Sequence, residues 1–400
     1  MIENALGWMS SNRNFRKKMR FIPPVHPVRY RRRYRPPSRP WAAWTAPVPD
    51  GLRGQAGIGR DADAEQKAFE VAPLPSYNHL YPAAIKRVYR HLWHSVLPTS
   101  PRYMRGVAAA ERTQARARRR SAISRDAVPS RGAVTDTARL TADVQAQAGR
   151  IGLSAIGIAR YDEKYTFAPN LGKELGDRVI VCVLEQHHES TQLVPGPVAE
   201  RAALITYAEC MKRAARLATY LQGLGYRAES YGSEGTGVII HYAVQAGLGQ
   251  LGFNGQLLTP VAGSRCRLIA ISTDAPLDCG QPRDYGIDRI CDECQICVRR
   301  CPGLAIPRRR MEYRGVQKAK INTKRCLPLV GQASGCGVCM KVCPVQRYGL
   351  EAVYDEYEAS GRILGKDTAE LEGFTFPVDG RFYGPGDMPK LPSEFFFPLS

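Results

Sequence analysis

Eight of the twelve cysteines in this 400-residue chain fall in two runs near its C-terminal end. The first is Cys291-x2-Cys294-x2-Cys297-x3-Cys301-Pro302, and the second is Cys326-x9-Cys336-x2-Cys339-x3-Cys343-Pro344. Thiolates at such spacings ligate iron–sulfur cubes, and in paired runs the fourth cysteine of each run ligates the other run's cluster. The spacing predicts one 4Fe–4S cluster on Cys291, Cys294, Cys297 and Cys343, and a second on Cys301, Cys326, Cys336 and Cys339. A pair of structural zinc sites is the plainer alternative, but a tetrahedral site has no use for the third cysteine and the proline of such a run. Cys326 is the irregular member, nine residues from Cys336. It is either a ligand reached by a loop or a buried free thiol beside a three-iron cluster. Gly331 and the Gln-Ala-Ser-Gly stretch before Cys336 let the loop fold back, which favours the ligand.

The remaining cysteines, Cys182, Cys210, Cys266 and Cys279, lie in apolar or loop settings and read as idle thiols. Iron–sulfur ligation argues against a disulfide framework and for a reducing compartment. No stretch of about 18 apolar residues predicts a membrane span. No apolar stretch follows the basic N-terminal residues as an export signal requires, so the expected location is cytoplasmic.

The net charge of +20 is concentrated in residues 1–131, which carry 26 Lys and Arg against 8 Asp and Glu. The opening 60 residues are rich in Pro and Arg and cannot build a core, so this region reads as largely disordered. Arg31 to Arg35, interleaved with Tyr30 and Tyr34, suit a phosphate backbone. A solvated tail is the plainer reading, and nucleic acid is not the expected partner.

From about residue 132 the texture is globular, and an α/β or α+β domain is expected over 132–285. Leu140, Val144, Ala148 and Ile151 form one stripe of a helix opened by Thr135 and ended by Gly152. Residues 155–159 and 178–184 read as buried strands, 198–223 as a long helix, and 227–231 and 265–273 as further strands. A ferredoxin-like double-cluster domain is expected over 286–348. A loop-rich segment at 349–400 is expected to wrap over the domain junction.

Gly247-Leu-Gly249-Gln-Leu-Gly252 satisfies a dinucleotide fingerprint, with Asp274 about where its acid belongs. Gly255 and Pro260 follow too soon for the long helix that such a site needs. A tight loop whose backbone approaches a large flat cofactor is the preferred reading, with Gly247, Gly249, Gly252, Asn254 and Gly255 as its contacts. His187 and His188 follow a strand and read as surface residues.

The stretch from Ala246 to Pro260, with Arg265-Cys-Arg267-Leu and Ser272-Thr-Asp-Ala-Pro-Leu277, resembles the core of corrinoid-dependent reductive dehalogenases. Those also lead into two cluster motifs, the second stretched at its first cysteine. Epoxyqueuosine reductase is similar over the same region. The resemblance covers about 133–385. It implies a nitroreductase-like domain holding cobalamin without a protein histidine on cobalt. It also implies a reduced ferredoxin- or flavodoxin-type electron donor and a small organic substrate, such as an organohalide. It further implies a tyrosine proton donor on a long helix with a cation beside it, which by position are Tyr207 and Arg267, with Arg265 as the alternative cation. The tRNA enzyme has an aspartate upstream of its glycine loop; this chain has Ser233-Glu234-Gly there, where Glu234 would substitute, and the departure counts against the tRNA enzyme. Two other functions remain open: a two-cluster electron carrier without a catalytic site, and a tRNA-modifying reductase.

Overall fold

The computed structural model describes residues 136–392, apart from 167–171, 173, 233–236, 261, 314–315, 323–324, 327–328 and 331–332, together with residues 112, 113, 116 and 395. The basic segment 1–111 and Glu234 lie outside the described residues.

The first part of the fold runs α1 (Thr137–Ile151), β1 (Ala155–Arg160), β2 (Arg178–Glu185), α2 (His188–Gln192), α3 (Pro197–Gly223), β3 (Ala228–Tyr231), α4 (Ile239–Gln245), β4 (Gln250–Leu251), β5 (Leu257–Leu258) and β6 (Cys266–Thr273). Asp136 caps α1, its carboxylate accepting from the Arg139 amide at 2.8 Å, and Thr135 lies outside the described residues. Gly152 ends the helix in the left-handed conformation that lacks a penalty only for glycine.

The main sheet has strand order β1-β2-β6-β3, and every neighbouring pair is antiparallel. Helices and strands alternate in sequence, but the arrangement is α+β and not a parallel α/β sheet. The period of two along β2 divides its side chains between two cores. Ile180, Cys182 and Leu184 pack under α1 and α3 with Val144, Leu217, Leu221, Ile269 and Ile271. Val179 and Val181 face α4 with Tyr231, Tyr242 and Ala270. A strand buried on both faces must be apolar throughout, which accounts for Val179 to Leu184 reading as one unbroken run.

The second part comprises α5 (Ile287–Cys294), α6 (Ile296–Arg299), the hairpin β7 (Met311–Tyr313) and β8 (Val316–Lys318), α7 (Val338–Lys341), α8 (Pro344–Tyr348), α9 (Leu350–Ser360), α10 (Ala369–Glu372), β9 (Phe374–Thr375) and β10 (Phe382–Tyr383). The β7–β8 hairpin reaches the α4 side of the sheet. Lys318 Nζ lies 3.0 Å from His241 Nε2, and Val316 joins the core there. Burial, with the charge of Lys318, pushes His241 down to about 3, so the ring stays neutral and accepts the lysine's proton in a hydrogen bond.

The C-terminal segment is pinned to the cysteine-bearing part through Arg300, which is only 1% exposed. Its Nε donates to the Glu372 carbonyl at 3.2 Å and its Nη2 to the Tyr383 carbonyl at 3.1 Å. Its Nη1 donates to the Asp387 carbonyl, and its guanidinium lies 5.0 Å from the Phe374 ring centroid. The Glu372 carboxylate balances the charge at 3.8 Å, and Arg299 holds the same carboxylate at 2.8 Å. A buried cation is tolerated only with such complete pairing. Arg300→Met should leave three carbonyls without their donor and lower unfolding stability by about 3 kcal/mol. A urea midpoint unchanged from the parent protein would show that the pin carries no load.

Candidate redox centre and the adjoining polar site

The eight cysteines of the two runs lie close together in the fold. A small cavity is lined by Cys291, Cys294, Cys297 and Cys343, and its remaining wall includes Gly252, Phe253, Asn254 and Ile290. The other four thiols face one another: Cys326 is flanked by Cys301 and Cys336, and Cys339 by Cys326, Cys336 and Cys301. The groups adjoin where Cys297 neighbours Cys339. Cys326 thus stands among the thiols of the second set, although the connecting loop stretches its spacing.

Burial pushes all eight thiols up, Cys291 to about 11 and Cys294 and Cys336 to about 12. Neighbouring thiols add to the rise at most positions, because adjacent thiolates repel. Backbone amides oppose it. Ala305 N donates to Cys301 Sγ at 3.3 Å. The amides of Ile296, Val338 and Val345 point at Cys294, Cys336 and Cys343. Left-handed residues turn the chain around the sulfurs, including Gln295 at φ 43° and Cys336 at φ 50°. Such amide nests hold anionic sulfur and tune a cluster's potential. The donor set fits two 4Fe–4S clusters.

The glycine loop does not lead into a helix. It forms the β4–β5 hairpin, and Asp274 is tied to Arg227 at 2.7 Å, so the dinucleotide fingerprint has no counterpart in the fold. A Cβ on Gly249 would overlap the Leu258 carbonyl, and one on Gly255, at φ 68°, would lie 2.8 Å from Ile321 Cγ1. A Cβ on Gly247 would meet the Gln281 carbonyl. The space these glycines leave is therefore filled by the chain itself. Gly252 and Asn254 line the first cysteine cavity, and Asn254 Nδ2 lies 3.4 Å from the Cys339 carbonyl. The loop is thus a wall of the redox centre.

The second cysteine run is seated against the start of α3, where Gly335 packs on Glu200 and Gly337 on Val194. Two turns farther along, half-buried Tyr207 joins the core beneath α3. Arg267, on β6, has Tyr207 among the ionisable groups that face it. Its Nη2 donates to Gln186 Oε1 at 2.7 Å and its Nη1 to the Cys266 carbonyl at 3.1 Å. Arg265 is instead consumed by an ion pair with Glu185 and by the Gln186 carbonyl at 2.9 Å. The two arginines are therefore not equivalent, and Arg265 has a structural partner. Gly232 is a residue that sequence reading missed. A Cβ there would sit 2.7 Å from Tyr207 Oη, so its absence makes room for the phenol. His187 pairs with exposed Glu189 at 2.9 Å, and His188 meets the Arg347 carbonyl at 3.3 Å. Cys182, Cys210 and Cys266 are buried, while Cys279 is half-buried.

Cys326→Ala should cost the iron of one cluster while the other cluster remains. Iron analysis of the anaerobically purified variant checks this, and a content equal to the parent's would remove Cys326 from the ligand set.

Residues 290–347 match the family model for a 4Fe-4S dicluster domain. The chain is 31% identical over 209 residues to a tetrachloroethene reductive dehalogenase of Desulfitobacterium hafniense, a match covering 48% of this chain and 36% of that protein. It is 33% identical over 128 residues to epoxyqueuosine reductase of Synechococcus sp. (strain RCC307), covering 28% of this chain and 36% of the relative. The chain thus spans little more than a third of the length of these relatives. A catabolic reductive dehalogenase solved with 3-bromo-4-hydroxybenzoic acid superposes with a TM-score of 0.55 at 23% identity, over 66% of this chain and 44% of that one. Among the described residues no helix is long and apolar enough to cross a membrane. The fold is that of the reductive dehalogenases with a 4Fe–4S dicluster domain, and the chain's homologues are reductive dehalogenases and epoxyqueuosine reductase.

Proposed function

We propose that this protein is a corrinoid-dependent reductase of the reductive dehalogenase type. In this reading two 4Fe–4S clusters carry electrons from a reduced ferredoxin- or flavodoxin-type donor to a corrinoid held by a nitroreductase-like domain. The substrate is a small organic molecule, an organohalide being the class that the relatives' names suggest. The bound corrinoid would supply the low-potential chemistry that breaks a carbon–halogen bond.

The observation that carries the reading is that Tyr207 is among the ionisable groups facing Arg267, on the helix against which the second cysteine run is seated. Replacing halogen by hydrogen consumes an electron pair and a proton and releases halide. The clusters supply the electrons, and Tyr207 Oη supplies the proton. The Arg267 guanidinium favours the phenolate left behind, and its burial strengthens that interaction. Gly232 leaves the hydroxyl room on that side. In this reading the residues that would face the cofactor's substrate side are Tyr207 and Arg267. A simple electron carrier gives this pair nothing to do.

Anaerobic purification with cobalamin supplied should give a visible spectrum with corrinoid bands above the broad iron–sulfur absorbance. Iron–sulfur absorbance alone would remove the corrinoid from the proposal. Tyr207→Phe should retain both clusters and the corrinoid and lose turnover by roughly 10²–10⁴-fold, the usual contribution of a positioned general acid. Unchanged turnover would return Tyr207 to the core.

A further inference from the structure

Gln186 follows β2 and is 2% exposed. It continues the row Ile180, Cys182, Leu184 on the α3 side, and so ends that apolar row with an amide. Every part of it is engaged. Its backbone N–H donates to the Arg265 carbonyl at 2.9 Å, and its own carbonyl accepts from Arg265 Nη1 at 2.9 Å. The side chain is held between Thr191 and Arg267. Thr191 Oγ1 donates to the His187 carbonyl at 2.8 Å. That hydroxyl's proton is thereby used, so its oxygen accepts from Gln186 Nε2, also at 2.8 Å. The amide's direction follows: its oxygen must point to Arg267, whose Nη2 it meets at 2.7 Å.

The two arginines of this face meet different partners. Arg265 has the carboxylate of Glu185. Arg267 has a neutral amide of nearly the same length as that carboxylate. Among the described residues the ionisable groups facing Arg267 are Cys266, Tyr207 and Cys210, and none of these is a carboxylate. Burial pushes Cys266 up to about 11 and Cys210 higher still, so neither thiol offsets the cation near neutral pH. A glutamate at position 186 would offset it.

We propose that Gln186 is a positioning residue that aims the Arg267 guanidinium while leaving its charge uncompensated, so that the whole cation acts on the Tyr207 phenol. Thr191 fixes the amide in the orientation this requires. The proposal rests on the Tyr207–Arg267 reading above.

The test places 3-fluorotyrosine at position 207 of the full chain and follows its ionisation by fluorine NMR, with both clusters oxidised and spin-paired. Four backgrounds are compared at matched iron content: parent, Arg267→Met, Gln186→Glu and Thr191→Val. Arg267→Met should raise the phenol's apparent pKa by about one unit. Gln186→Glu should raise it by a similar amount, because the new carboxylate claims the cation. Thr191→Val, which frees the amide to turn its donor end toward Arg267, should move it the same way by less, and it serves alone should the glutamate variant not fold. If Arg267→Met raises the pKa and neither of the other variants does, Gln186 is merely structural and the inference fails. If Arg267→Met itself leaves the pKa unmoved, the Tyr207–Arg267 pairing is wrong and the inference falls with it.

Discussion

Eight thiols gathered in a desolvated space constrain everything around them. Burial disfavours the thiolate, and each neighbouring sulfur disfavours it further. Only cationic iron reverses that balance, and since the ligands must lose their protons to bind it, cluster assembly and folding are linked. The short helices α5 to α8, the left-handed turns at Gln295 and Cys336, and the amides aimed at the sulfurs all follow from wrapping a chain around two metal cubes. These helices are too short to be stable alone, so the clusters and the surrounding packing must hold them.

The sheet domain answers a different need. A four-stranded antiparallel sheet between two cores gives a rigid floor on which a few polar groups are set at fixed distances. The α3 side carries Tyr207, Arg267 and Gln186; the α4 side receives the hairpin of the cysteine-bearing part through Lys318 and His241. The glycine hairpin belongs to both parts, since Gly252 and Asn254 close the first cysteine cavity from the sheet side. Arg300 then fastens the C-terminal segment over the module. Electron transfer depends on fixed geometry, and these three attachments fix it without a disulfide.

Much of the fold was legible because its signals are local. The stripe Leu140, Val144, Ala148 required a helix, and Gly152 stopped it. The apolar run from Val179 to Leu184 required a buried strand. What periodicity does not contain is strand direction, and the pairing proved antiparallel throughout. The glycine loop was less legible, because a glycine marks a close approach without saying what approaches. At Gly249 it is the Leu258 carbonyl, and at Gly255 it is Ile321.

By itself the sequence determined the ligand chemistry, since cysteine spacing is a property of the chain. It also determined the elements and the presence of two arginines on one strand face. Only the tertiary structure decided which arginine is available. Glu185 neutralises Arg265, while Gln186, fixed by Thr191, meets Arg267 and leaves its charge intact. That distinction depends on side chains from β2, α2 and β6 meeting in a desolvated space, where a carboxylate and an amide of similar size have opposite electrostatic consequences.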